Sequence, residues 1–164
     1  MRALFRFPDS VNEVSARLVA AGVMLLCLAI LSGATWLIAI VAYGFVARVA
    51  TGPTLSPLAQ VVTRGITPRL RATPRLVPGP PKRFAQGIGA ALSVTAAISH
   101  FALGATTVAL VAVAAILFAA TLEAAAGLCL GCRLFARLMH LGVIPASVCA
   151  ACDDLTRRPT RTVA

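Results

Sequence analysis

Charge and aromatic rings are both scarce in this sequence. Only 12% of its 164 residues are Asp, Glu, Lys or Arg and 5% are aromatic, whereas 59% are hydrophobic. So little charge combined with long apolar runs points to a membrane protein rather than a soluble fold. Acidic residues are rarest, five in all. No acidic or polar row crosses the apolar runs, which counts against an ion pathway through them. With few aromatics, the apolar content falls to Ala, Val and Leu, residues small enough to let membrane helices approach closely.

Basic residues are the exception, fifteen Lys and Arg against the five acids. Composition alone would suit a nucleic-acid binder. Their positions argue against nucleic acid and for membrane lipid, because they flank apolar segments or fall in one central loop, where anionic headgroups and the positive-inside rule place them.

The chain is expected to be an all-α integral membrane protein with four transmembrane helices arranged as two helical hairpins. The spans are placed at about 18–32, 34–49, 84–103 and 106–130. The first two are short for a hydrocarbon core about 30 Å thick, so flanking arginines must snorkel to make up the length. Gly33-Ala34-Thr35 at the first turn recurs as Gly104-Ala105-Thr106 at the second, a faint parallel repeat. Neither turn carries a basic residue, so both termini and the loop 50–83 are expected on the cytoplasmic side of a bacterial inner membrane. The second apolar run follows the first at once, which argues against a cleaved signal peptide.

The loop 50–83 holds seven of the ten prolines, which disfavours long regular structure. Ser56 before Pro57 is a helix-start signal, and Leu58, Val61 and Val62 suit one short helix on the membrane surface. A positively charged linker is the favoured reading of this loop, and a lipid or partner platform the alternative.

Cysteine carries the chemistry. Cys129-Leu130-Gly131-Cys132 and Cys149-Ala150-Ala151-Cys152 are two Cys-x-x-Cys pairs sixteen residues apart, the first straddling the end of the fourth span and the second in a tail that spans 131–164 and begins with an amphipathic segment. This is the spacing of four-thiolate zinc sites, with Arg133 and Arg137 at hand to offset their charge. It also suits thiol exchange, in which each pair supplies a thiolate and its resolving partner, and the arginines lower thiol pKa values. A cytoplasmic location disfavours stable structural disulfides and so leaves metal ligation, redox chemistry or sulfur transfer. A third reading is plain packing, since Gly127-x-x-x-Gly131 is a close-approach motif on the same stretch. His140 is a possible further metal ligand but reads better as a surface residue, and Cys27, alone in mid-span, reads as core packing.

Glu123 is the single acidic residue within an apolar span. On a continuous helix, steps of 100° would turn Cys129 and Cys132 away from it, so its expected partner is Arg48 or Arg17 rather than a thiol.

Longer motifs carry a family resemblance. Phe7-Pro8-Asp9-Ser10-Val11-Asn12-Glu13 with Arg17, Gly52-Pro53 with Ser56-Pro57-Leu58-Ala59, the run Pro78 to Gly89, Gly127-Leu128-Cys129-Leu130-Gly131-Cys132, and Ile144-Pro145 with Ser147-Val148-Cys149 lie along almost the whole chain. Together they resemble the bacterial membrane family named domain of unknown function 4395. The resemblance implies a small integral membrane protein, from a family often associated with thioredoxin-like and sulfurtransferase proteins. The leading expectation is therefore a membrane-bound thiol-redox or sulfur-transfer component working with a thioredoxin-like or rhodanese-type protein. In it Cys129 and Cys132 form the membrane-proximal pair and Cys149 and Cys152 the exchanging pair. The alternatives are a zinc-binding membrane protein holding the metal with the same four cysteines, and a small-solute transport component.

Overall fold

A computed structural model describes residues 7–70, 73 and 75–149. The chain is mostly helical. Helix α1 (Glu13–Leu31) starts where the Asn12 side chain accepts the Val14 N–H, with Glu13 in the first turn against the positive helix end. Helix α2 (Leu37–Thr51) follows after five residues and closes at Gly52, φ 64°. As the sequence indicated, Ser56 and Pro57 open a short helix, α3 (Pro57–Gln60), which runs on through a wide turn, Val61–Ile66, and a tight one, Thr67–Leu70. Helix α4 (Gly79–Ala97) carries its prolines in the first turn, where no intrahelical N–H is needed, and continues as Ile98–Ala102. Helices α5 (Thr106–Ala126) and α6 (Leu130–His140) follow, then a single turn, Ala146–Cys149.

One element escaped the sequence reading. Strand β1 (Ser10–Asn12) pairs antiparallel with β2 (Leu76–Pro78), Val11 opposite Val77. Two flanking bonds extend the ribbon, Gly79 N–H to Asp9 O and Glu13 N–H to Arg75 O, each 2.8 Å. It closes the long proline-rich loop, with α1 leaving one end of the ribbon and α4 the other.

Among the described residues, three helices are long and apolar enough to cross a membrane: Glu13–Leu31, Gly79–Ala102 and Thr106–Ala126. The apolar α2 is shorter, at 15 residues. Helix α1 packs chiefly on α5, and α2 on α4, while α4 also meets α5 and α6. Val23, Cys27, Ile30, Ile38, Val113 and Ile116 form the centre of the core. Large apolar side chains also cover the outside of these helices, among them Leu25, Ile40, Val94, Ile98, Val111 and Phe118. A surface this apolar is what lipid contact requires and water disfavours.

The fourth apolar run does not continue to Leu130 as one helix. Gly127 adopts φ 66°, its N–H bonding Glu123 O while the Leu128 N–H bonds Leu122 O, and α5 ends at Ala126. A left-handed residue of this kind closes a helix by satisfying its last carbonyls, and glycine enters that conformation without a Cβ clash. The expected amphipathic segment is then a separate helix, with Phe135 buried and Arg133, Arg137 and His140 exposed.

Gly131 shows how α6 is seated. A Cβ there would lie 2.5 Å from the Ala85 Cβ of α4. Gly131→Val is expected to cost about 1–3 kcal/mol through overpacking. A thermal-unfolding scan in detergent reads this as a lowered midpoint; an unchanged midpoint would mean that α6 is not held against α4.

Candidate functional site

The break at Gly127 changes the setting of the first cysteine pair. Cys129 is not the last turn of a span but the residue that caps α6, with extended backbone and its Sγ accepting the Cys132 N–H at 3.3 Å. Cys129 and Cys132 are joined as a disulfide across a Cα–Cα distance of 5.2 Å. Cys129 is 9% exposed and turned inward, whereas Cys132 is only half-buried. On reduction, a thiolate at Cys129 would sit at the positive end of α6 with a backbone N–H on its sulfur, an arrangement that stabilises the anion.

Cys129 also lines a cavity of about 400 Å³. Its wall is contributed by α1, α2, α4, α5 and the start of α6, and is apolar except at Arg48, Gln86 and Glu123. Glu123 and Cys129 thus border the same space. The reading that placed them on opposite sides of one helix assumed a continuity that Gly127 removes.

Nor does Glu123 pair with Arg48 or Arg17 by direct contact. Its Oε1 accepts from Lys82 Nζ at 2.5 Å, between side chains only 18% and 10% exposed. Arg17 is used elsewhere, donating from Nε and Nη2 to Ala124 O and from Nη2 to Ala125 O. Those are carbonyls at the end of α5 that lack helical partners, so Arg17 fastens α1 to that terminus. Arg48, 6% exposed, donates from Nε to Gln86 Oε1 at 2.9 Å and from Nη1 to Ser56 Oγ at 3.2 Å, with its guanidinium over the Phe45 ring. Lys82, Arg48 and Glu123 leave one positive charge in excess within the terminal turns of α4, α2 and α5.

Sequence reasoning missed Lys82, Gln86 and Ser56 as parts of this cluster. The signal for Lys82 was its place beside Arg83 at the head of a span; Gln86 is a polar residue one turn further on. Neither indicates a partner until α4 is laid against α2 and α5.

The second cysteine pair is described in part. Cys149 is buried and disulfide-bonded, and Cys152 lies outside the described residues. The turn that carries Cys149 stands by α4 and α6, where Val148 shares a cleft with Phe84 and Phe135. Among the described residues, no three His, Cys, Asp or Glu side chains gather where they could hold a metal ion. Cys27 is a fully buried free thiol in the core, as expected of a packing residue.

No curated protein and no solved structure matches the chain. A family model, Domain of unknown function 4395, matches residues 11–140. That span takes in all of the ribbon but Ser10, the four apolar helices, the charged cluster and the Cys129–Cys132 pair, and it ends before Cys149. On this match the chain belongs to the family of the domain of unknown function 4395.

Proposed function

We propose that the protein is a membrane-bound thiol-redox or sulfur-transfer component whose working group is the Cys129–Cys132 disulfide. The observation that carries this reading is the position of that disulfide at the head of α6, one sulfur turned to the interior and the other half-buried. A thiolate from a thioredoxin-like or rhodanese-type partner, or from Cys149 and Cys152 once such a partner has reduced them, attacks Cys132 Sγ. The Cys129–Cys132 bond breaks, and Cys129 leaves as a thiolate stabilised by the α6 terminus. A second thiol on the attacking protein then resolves the mixed disulfide, freeing Cys132, so that two electrons have entered the pair.

The same proposal places α1, α2, α4 and α5 as four spans in two hairpins of a bacterial inner membrane, with both termini cytoplasmic. The apolar outer faces and the lack of basic residues at both short turns support it. Helix α2 spans with its 15 residues by virtue of Arg48, whose charge is held beneath the helix ends by Gln86 and Ser56.

Metal content and thiol count test the proposal together. Protein purified anaerobically is expected to carry no stoichiometric zinc and to gain maleimide-reactive thiols at Cys129 and Cys132 only after reduction. One zinc per chain with cysteines protected under reducing conditions would overturn it in favour of a metal clamp.

A further inference from the structure

The cavity beside Cys129 is larger than exchange between thiols needs. A dithiol delivering electrons to the disulfide leaves Cys129 and Cys132 reduced, and another round requires a two-electron acceptor beyond that pair. About 400 Å³ of space adjoins Cys129, within the usual range for a bound organic molecule. Its walls are apolar side chains such as Val23, Leu92, Ile116 and Phe118. Polar groups occur at Arg48, Gln86 and Glu123. Arg48 uses Nε and Nη1 on neutral partners, while among the described residues Nη2 donates to nothing. The wall therefore offers a cationic donor to an oxygen atom, apolar surface to a ring, and a sulfur as the reacting atom.

We propose that this cavity binds a lipid-soluble quinone, which reoxidises the Cys129–Cys132 dithiol; the inference rests on the thiol-redox reading above. One quinone carbonyl oxygen accepts from the Arg48 guanidinium, the ring lies on the apolar walls toward Cys129, and the isoprenoid tail leaves between helices whose outer faces are apolar. The two thiols lose two electrons and two protons as the S–S bond forms. Each carbonyl oxygen of the quinone gains one proton, giving the hydroquinone. The excess positive charge at Arg48 favours the negative charge that grows on those oxygens during electron transfer. A small hydrated anion would suit Arg48 but not the apolar remainder of the wall.

Decylubiquinone is the probe. Full-length protein in detergent is reduced with dithiothreitol, desalted and mixed with it, and hydroquinone and remaining thiols are followed together. Wild-type protein is expected to form one hydroquinone for each disulfide regained, and Cys129→Ser none. Arg48→Gln removes a charged donor and is expected to raise the half-saturating quinone concentration about tenfold or more, with Arg48→Lys recovering part of the loss. Should Arg48→Gln fail to fold, Ala119→Trp, which fills the cavity from α5, is expected to have the same effect. Wild-type protein whose disulfide is reduced by dithiothreitol and reformed by diamide, yet yields no hydroquinone, would overturn the quinone site and leave the thiol-redox reading standing. A pair that neither reagent cycles would overturn both.

Discussion

Replacing Glu123 by Ala is expected to lower stability by about 3–5 kcal/mol, because it leaves the Lys82 ammonium buried without its counter-charge. Lys82 is 8% exposed and its Nζ lies 2.5 Å from Glu123 Oε1, with no other partner among the described residues. Arg48 is also under the influence of Glu123, so the loss would leave two buried cations without their carboxylate. Lys82→Met alone is expected to cost less, since the remaining carboxylate still has Arg48 nearby. The double change to Lys82→Met and Glu123→Leu is expected to recover most of the stability, because replacing both members of a buried pair removes the desolvation cost along with the attraction. Thermal unfolding of the three variants in detergent checks the order. A single Glu123→Ala variant as stable as the double variant would show that the pair is not buried in the way described.

How much of this was legible beforehand depended on range in sequence. The apolar segments were visible because hydropathy is a local property, and α3 because Ser56-Pro57 is a local start signal. The end of α5 was readable in principle from Gly127, a residue that commonly closes helices, but Leu128 and Leu130 kept the apolar run going and concealed the stop. The ribbon of Ser10–Asn12 on Leu76–Pro78 is three residues deep, too short for an alternating pattern to stand out. Glu123 was correctly singled out as a carboxylate in need of a partner. Which cation would take that place was decided by the packing of α4 against α5, and Arg17, Arg48 and Lys82 look alike without it. Gly127-x-x-x-Gly131 read as one packing motif, yet its two glycines do different things. One turns the chain and the other lets α6 lie on Ala85.

The two sulfurs of the Cys129–Cys132 pair are expected to differ sharply in reactivity, and this is the largest functional effect the account predicts. Cys132 is half-buried and open to an incoming thiol. Cys129 is 9% exposed and faces the interior, so it serves as leaving group and resolving thiol rather than as the atom attacked. With Cys129→Ser, a disulfide formed at Cys132 has no neighbour to expel it and accumulates. With Cys132→Ser, Cys129 meets external disulfides about tenfold more slowly or worse, because reaction follows access as well as thiolate character. In reduced wild-type protein, any adduct at Cys132 is displaced at once by Cys129.

The roles of Cys129 and Cys132 are checked by reacting the reduced proteins with glutathione disulfide, followed by intact mass and peptide mapping. One stable glutathione is expected on Cys132 in Cys129→Ser, little on Cys129 in Cys132→Ser, and a restored Cys129–Cys132 disulfide without bound glutathione in the wild type. Wild-type protein that keeps two free thiols at Cys129 and Cys132, or that holds glutathione stably at both, would contradict those roles.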